Sequence, residues 1–315
     1  MDSDYYSSSK MCWGTLGTVR PFSNFHPDRD AIAIQAALEK KDATTLTNIF
    51  TNRNNAQRQV IVQTFEELTK KDLAIAIKKA TSGDLEDLLL ELLMPPLQYE
   101  ARRLQQAMAG LGTDEETLLE MLCTRSGKKL QEISAAYTQV YKKDLEKELK
   151  AETSGDFAKL VIALLNKESV PAGVQRDIGT LSASLNAKKA DADPWIEILT
   201  SRDLSHLEKV LMGLEVETEQ TVEQAVEKHF SGDVKLGLSI LVQCIQAPYV
   251  YLAKRLTTMK APIVQGIMIS HCEEDLLYIR VAFKKLTGTS LYTALQSKFK
   301  GEYLQALLAI CRSED

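Results

Sequence analysis

The strongest constraint in this sequence is an internal repeat that occurs four times in 315 residues. A Ser-Gly-Asp marker stands at residues 82–84, 154–156 and 231–233, and its last copy reads Lys-Gly-Glu at 300–302. A second marker of three residues ends at Arg53, Arg125, Arg202 and His271. Both markers advance by the same steps of 72, 77 and 69 residues. Four copies of one unit of about 70 residues therefore fill the chain, as in repeat architectures.

The apolar residues within a repeat follow a helical period, because residues three or four apart share one face of a helix. Two such faces are Leu85, Leu88, Leu89 and Leu92, and Leu130, Ile133, Tyr137, Val140 and Tyr141. No segment alternates apolar and polar residues as a half-buried strand does. The low content of 15 Gly and 8 Pro also favours helix. The sequence predicts an all-α chain with about five helices in each repeat.

The markers and the connecting segments divide the chain into a head and four repeats. Residues 1–29 are rich in Ser, Thr, Gly and Tyr, and we expect them to form a mobile N-terminal head. The repeats are placed at residues 30–95, 99–167, 177–247 and 248–315. The link from Asn166 to Asp177 contains Pro171 and Gly173, and we expect the array to divide into halves there.

The charge and the cysteines indicate the kind of partner and compartment. The net charge is −5, whereas a nucleic-acid-binding domain is normally strongly basic, so we expect no nucleic-acid partner. An acidic chain needs a bridging cation to reach an anionic surface. The five cysteines are odd in number and lack paired spacing, and the N-terminus has no apolar signal core. Both features predict a reducing, cytoplasmic location.

The uncharged run from Leu236 to Ala253 is long enough to be considered as a membrane span. Polar residues such as Gln243 interrupt it, and Pro248 is placed to end one helix before the next begins. We therefore predict two buried helices there.

One loop carries the pattern of a ligand site, namely Gly110-Leu111-Gly112-Thr113. It lacks the lysine that follows a nucleotide phosphate loop. In one interpretation it is a helix C-cap followed by a capping box over residues 113–116. In the other, the glycines turn backbone carbonyls inward, and carbonyl oxygens with a carboxylate are ligands that a hard cation such as calcium accepts.

The four-fold repeat and this loop together resemble the annexin family over nearly all of residues 24–315. The family's calcium loop, Gly-x-Gly-Thr-Asp-Glu after Lys or Ala, is matched at residues 109–115, and other family-like runs occur at 54–59, 153–157 and 241–245. The resemblance implies four five-helix repeats coiled into a right-handed superhelical disc. It also implies reversible, calcium-dependent docking on acidic phospholipid.

The resemblance further implies which residues hold calcium in repeat two. The principal annexin site takes three loop carbonyls and an acidic side chain from the end of the fourth helix, here Met108, Gly110, Gly112 and the carboxylate of Glu152. A lesser site beside it would use the carbonyl of Thr113 and the side chain of Glu115. These protein oxygens leave calcium room for water or a lipid phosphate, since calcium takes about 6–8 oxygen ligands.

The other three repeats depart from this pattern. Their loops, at 39–44, 186–191 and 259–263, lack the glycines, and their carboxylate positions are Ala80, His229 and Lys298. Lysines stand in these loops instead, at Lys40, Lys41, Lys188, Lys189 and Lys260. One interpretation is that they meet anionic lipid without calcium, each contributing about 1 kcal/mol near an acidic leaflet. The other is that they are ordinary solvated loop residues.

The sequence thus predicts a calcium-dependent peripheral protein that binds a phosphatidylserine-like membrane surface through repeat two, with the basic loops assisting. We expect a monomer in solution, located in the cytoplasm and on the inner face of membranes, with a head partner left open. The motifs supply no set of nucleophile, base and orienting group, so we expect no enzyme. The alternative is a largely calcium-independent cytosolic scaffold or lipid-binding protein, favoured by the three lost sites.

Overall fold

The computed structural model describes residues 16–313, and this part of the chain contains helices and loops but no strand. It forms twenty helices, five in each repeat. The predictions of an all-α fold and of five helices per repeat are therefore confirmed.

The twenty helices are numbered in chain order. Repeat one contains α1 Pro27–Lys40, α2 Ala43–Thr51, α3 Asn55–Thr69, α4 Leu73–Ala80 and α5 Gly83–Leu92. Repeat two contains α6 Pro96–Met108, α7 Glu115–Thr124, α8 Gly127–Tyr141, α9 Leu145–Glu152 and α10 Gly155–Leu165. Repeat three contains α11 Val174–Leu185, α12 Asp193–Thr200, α13 Leu204–Thr218, α14 Val222–His229 and α15 Gly232–Gln246. Repeat four contains α16 Pro248–Leu256, α17 Ala261–His271, α18 Leu276–Thr287, α19 Leu291–Lys298 and α20 Gly301–Cys311.

The predicted apolar faces form the core of their repeats. The four leucines of α5 are buried, as are Leu130, Ile133 and Tyr137 of α8. Val140 departs from the prediction, because 43% of it is exposed, and Tyr141 is half-buried. Both lie in the last turn of α8, where the helix ends at the surface.

The arginine of the second marker forms a buried ion pair in each of the first three repeats. Its partner lies in the first helix of the same repeat: Arg53 pairs with Asp30, Arg125 with Glu100, and Arg202 with Asp177, with nitrogen–oxygen distances of 2.7, 2.8 and 2.8 Å. The arginine follows the second helix, so the pair fixes the end of that helix to the first helix. In repeat four His271 takes the marker position and instead bonds Asp275 at 2.6 Å.

The glycine of the first marker opens the fifth helix of every repeat with a positive φ, between +61° and +67°. L-residues with a Cβ avoid this left-handed region, which explains why glycine recurs there. Ser154 and Ser231 precede this glycine at the N-cap positions but make no side-chain cap hydrogen bond.

The helices pack into two compact units, and the division differs from the expected one. Within the described range, residues 16–99 and 252–313 form one unit, and Glu100–Tyr251 form the other. The link at 166–173 therefore lies inside a unit and does not divide the array. In the first unit, the Glu273 carboxylate of repeat four accepts hydrogen bonds from the Asn55 backbone N–H of repeat one, at 3.0 and 3.1 Å. Gln265 donates to Glu91 at 2.6 Å in the same unit.

The chain before Asp30 was expected to be a mobile head, but residues 16–29 are part of the first unit. The backbone N–H groups of Thr18 and Val19 donate to the Cys272 carbonyl at 2.7 and 2.9 Å, and Val19 is buried. Gly17 lies so close to Glu273 that an added Cβ would meet its backbone at 2.6 Å. Helix α1 also begins at Pro27, before the predicted repeat boundary at residue 30. Residues 1–15, with Cys12, lie outside the described range.

The uncharged run at 236–253 forms two helices, as predicted, with α15 ending at Gln246 and α16 beginning at Pro248. Pro248 opens the second helix because proline lacks the N–H that a helix interior needs. Within residues 16–313, the helices are all too short or too polar to cross a bilayer.

Candidate metal site in repeat two

The loop between α6 and α7 carries two glycines in conformations that other residues avoid. Gly110 has a φ of +102° and Gly112 a φ of +97°. A Cβ added at either glycine would meet nothing within 4 Å. The glycines are therefore required by the backbone conformation and not by lack of space.

Both ends of this loop are fixed by Asp114. Its backbone N–H donates to the Ala107 carbonyl at 2.7 Å, and its side chain accepts from the Thr117 N–H at 3.1 Å. Asp114 is thus the N-cap of α7. The predicted capping box that began at Thr113 is wrong: the N-cap lies one residue later, at Asp114, and an Asp side chain caps at least as well as a Thr. The capping interpretation and the ligand interpretation are compatible, since capping uses Asp114 and leaves the other loop residues available.

The structure brings the loop next to the end of the fourth helix. Glu152 is the last residue of α9 and is exposed, and the Thr113 hydroxyl donates to its backbone carbonyl at 3.4 Å. Tyr137 of α8 lies nearby: its burial, followed by the charges of Glu148 and Glu152, raises its pKa to about 12. The glycine loop and the Glu152 carboxylate therefore belong to one surface region.

The predicted donors differ in exposure. Gly110 and Gly112 are exposed, Thr113 and Glu115 are half-buried, and the side chain of Met108 is buried at the end of α6. Throughout residues 16–313, His, Cys, Asp and Glu side chains form no group of three placed to hold a metal. The site thus offers backbone carbonyls and isolated carboxylates. This oxygen-only set fits a hard cation such as calcium and does not fit a soft metal.

The corresponding loops of the other repeats are built differently. In repeat one, Lys41 and Asp42 alone connect α1 to α2; Lys41 is left-handed with a φ of 52°, and Asp42 caps α2. In repeat four, the connection from residue 257 to 260 contains Met259 with a φ of 49° and ends at Lys260, the N-cap of α17. These loops close the helix pair without any glycine.

Repeat three keeps a longer loop, at residues 186–192, but not its chemistry. Lys188 and Lys189 are exposed there. The residue that corresponds to Glu152 is His229, whose Nδ1 lies 2.8 Å from the Ala225 carbonyl oxygen of its own helix. The fourth helices of repeats one and four end at Ala80 and Lys298. In the described chain, a carboxylate ends the fourth helix in repeat two alone.

Leu111 is a feature of the loop that the sequence analysis did not assign. It stands between the two glycines and is fully exposed, the most exposed of the large apolar residues in the described range. The signal in the sequence was the two flanking glycines, because they have no side chains that could cover Leu111.

The comparisons with known proteins agree with this architecture. The annexin family model matches residues 29–92, 99–164 and 254–310, which is more than half of the chain and falls in repeats one, two and four. The chain belongs to the annexin family.

Among solved structures, this annexin is similar to annexin III, with 34% identity, a TM-score of 0.92 and coverage of 96% of this chain and 98% of the other. A chicken annexin V structure in complex with Zn²⁺ is 34% identical, with a TM-score of 0.89 and coverage of 95% and 99%. Annexin A8 is 30% identical, with a TM-score of 0.89 and coverage of 94% and 98%. These are four-repeat folds of the predicted class.

Family membership gives the function in general terms. Annexins bind phospholipid membranes peripherally in a calcium-dependent way, and they are generally not enzymes. Structures of this fold have been solved with divalent cations, Zn²⁺ in chicken annexin V and calcium in annexin (Sm)1, the latter only 22% identical to this chain.

Proposed function

We propose that this annexin binds acidic phospholipid membranes through one calcium site, located in repeat two. The observation that carries the proposal is the hydrogen bond from the Thr113 hydroxyl to the Glu152 backbone carbonyl. Within residues 16–313 it joins the only loop between a first and a second helix that contains glycine to the only fourth helix that ends in a carboxylate residue. The ligands would be the carbonyls of Met108, Gly110 and Gly112 and the side chain of Glu152. The lesser site would use the carbonyl of Thr113 and the side chain of Glu115.

Calcium would act there as a bridge between the Glu152 carboxylate and a lipid phosphate. Three carbonyls and one carboxylate would supply fewer oxygens than calcium takes, about 6–8, so lipid phosphate oxygens would complete the set. A site with one carboxylate binds calcium weakly, on the order of 10⁻⁴ M or poorer in the absence of lipid. Lipid raises the affinity for calcium by the same factor by which calcium raises the affinity for lipid.

Leu111 would support this bridge by an apolar contact. Its exposed side chain lies between two of the proposed carbonyl donors, so a phosphate bound there brings Leu111 against the membrane surface. Burying a leucine side chain contributes about 1.5–3 kcal/mol. We expect Leu111→Ser to weaken membrane binding without changing calcium binding in the absence of lipid.

The test is sedimentation with phosphatidylserine vesicles over a series of calcium concentrations and in chelator. Glu152→Gln should abolish calcium-dependent pelleting. Glu148→Gln is the matched control, since it removes one charge from the same helix, where Glu148 accepts from Lys143 at 3.1 Å; its pelleting should match wild type. Unchanged pelleting of Glu152→Gln would contradict the proposal.

A second candidate function is calcium-independent binding to anionic lipid. It is favoured by the exposure of five lysines in or next to the loops that lack glycine: Lys41, Lys188, Lys189 and Lys260 in the loops, and Lys40, which the structure places in the last turn of α1 and not in the predicted loop. At about 1 kcal/mol each they would rival one calcium bridge if they reached a leaflet together, and salt would screen them. This function requires that Glu152→Gln pellets in chelator, and that changing the five lysines to serine removes this binding. Absence of pelleting at every calcium level would instead favour the cytosolic scaffold.

The proposed function also covers enzymatic activity, oligomeric state and location. Binding is reversible and makes or breaks no bond, so we infer no enzymatic activity. We infer a monomer in solution, without a nucleic-acid partner, that moves between the cytoplasm and the inner face of acidic membranes. Gel filtration in chelator tests the oligomeric state, and fractionation of cells with and without calcium tests the location.

A further inference from the structure

Two buried cysteines from different repeats lie side by side in the second unit. Cys123 is near the end of α7 in repeat two, and Cys244 is near the end of α15 in repeat three. Both are free thiols with less than a tenth of their surface exposed. Their thiols share a hydrogen bond, and burial, followed by this bond, raises the pKa of Cys244.

The packing of the two helices explains why the thiols meet. At Gly237 of α15 an added Cβ would clash with Leu160 of α10 and would lie 3.4 Å from Leu119 of α7, so α15 lies against both helices at this glycine. Cys123 follows Leu119 by four residues and Cys244 follows Gly237 by seven, and both spacings return to the same face of a helix. Each cysteine is therefore on the side that faces the other helix.

A lysine completes the cluster. Lys167 donates from Nζ to the Arg125 carbonyl at 2.7 Å. Burial lowers the pKa of this lysine, and the two thiols Cys123 and Cys244 act on it in the opposite direction. At Cys244 the charge of Lys167 partly offsets the effect of burial on the thiol pKa, and the thiolate is the form of cysteine that reacts with oxidants.

We propose that Cys123 and Cys244 are a reversible oxidation site, at which a small peroxide converts the two thiols into a disulfide between repeats two and three. One thiolate attacks hydrogen peroxide, forms a sulfenic acid and releases water after proton transfer. The other thiol then attacks that sulfur, the S–S bond forms and a second water leaves. Two thiols and one peroxide thus give one disulfide and two waters. Burial excludes larger oxidants and leaves a small peroxide as the suitable one.

The test uses the full chain with Cys12→Ser, which leaves four cysteines. The folded protein is treated with hydrogen peroxide, blocked with a thiol reagent after unfolding, digested without reductant and analysed by mass spectrometry. We expect the loss of two of the four thiols, a cross-linked peptide containing Cys123 and Cys244, and recovery of both thiols with dithiothreitol.

Matched variants separate this pair from the other buried cysteines. Cys272→Ser should leave the cross-link unchanged, because Cys272 donates to the Ile269 carbonyl in repeat four at 3.3 Å. Cys244→Ser should abolish the cross-link. The proposal is overturned if peroxide leaves Cys123 and Cys244 as thiols, oxidises them separately to sulfinic acids, or joins either one to Cys272 or Cys311. The result with the Cys12→Ser chain alone decides between these outcomes, so the test does not depend on the folding of the Cys244→Ser or Cys272→Ser variant.

Discussion

Repeats two and three have the same scaffold and different loops. Each buries an arginine–carboxylate pair between its first and second helices, and each opens its fifth helix with a glycine of positive φ. The loop after the first helix has two glycines at +102° and +97° in repeat two. The corresponding loop of repeat three has no positive φ, and its fourth helix ends in His229 where repeat two has Glu152.

This comparison shows that the scaffold and the loop depend on separate residues. The ion pair and the fifth-helix glycine lie where helices meet, and both repeats have them. The loop is exposed at Gly110, Gly112 and Lys188 alike, and little packs against it. A repeat can therefore lose the proposed metal ligands and keep its fold, as repeat three has done.

The largest effect should come from the buried ion pairs, and it should be similar in both repeats. Glu100→Ala in repeat two removes the 2.8 Å partner of Arg125, which keeps only Glu120 at 4.0 Å, and Asp177→Ala in repeat three removes the partner of Arg202. Each should lower the free energy of unfolding by about 3–5 kcal/mol, measured by urea unfolding followed by circular dichroism. Asp28→Ala, which removes an exposed acid from the first helix of repeat one, is the control and should change little. A large loss of stability in only one of the two repeats would contradict the conclusion that they share one scaffold.

The same pair in repeat three predicts a dependence on pH. Burial opposes the ionisation of Asp177, but hydrogen bonds from Arg202 and His206 outweigh it and hold the pKa of Asp177 below its usual value. Because the folded pKa is below the unfolded value of about 3.9, this stabilisation is present above about pH 4. It is lost as the pH falls through the folded pKa. Asp177→Ala should remove this part of the acid destabilisation, which unfolding curves between pH 3 and pH 6 would measure.

A smaller effect, confined to repeat two, should follow from Gly112→Val. A β-branched residue avoids a φ of +97°, so the loop changes conformation or carries strain of about 1–3 kcal/mol. We expect vesicle binding to need at least ten times more calcium, about 1.4 kcal/mol of lost affinity. Ala187→Val, in the exposed loop of repeat three, is the control. If both variants pelleted at the calcium concentration of wild type, the two loops would not differ in function.

The smallest effect should be a gain in stability shared by both repeats. The third helices end at left-handed residues, Lys142 with a φ of 56° in repeat two and Glu219 with a φ of 53° in repeat three. Glycine already takes this position in repeat four, as Gly288. Lys142→Gly and Glu219→Gly should each raise the free energy of unfolding by up to about 1 kcal/mol. A small rise in the thermal midpoint would measure this gain. Lys143→Gly, one residue further along, should bring no such gain.

Much of the fold could be predicted from the sequence because its signals are local. The marker spacing located the repeats, and the periodicity located the helical faces that are buried in α5 and α8. Details that depend on backbone angles were missed. The first marker, for example, recurs because its glycine takes a positive φ at the start of the fifth helix, which its spacing alone does not show. The loop at 109–115 was singled out by its glycines, but its position relative to Glu152 came from family resemblance and not from the spacing of 39 residues between Thr113 and Glu152.

The sequence by itself determined that this protein is an array of four helical repeats with one glycine loop, because periodicity, capping and turn preferences act over a few residues. The tertiary structure alone decided which repeats share a core. Repeat one packs with repeat four, through contacts such as that between Asn55 and Glu273, and repeat two packs with repeat three. It also placed Cys123 beside Cys244. Such partners are far apart in the chain, and they are selected by the shape and charge of whole helix surfaces, which no local pattern records.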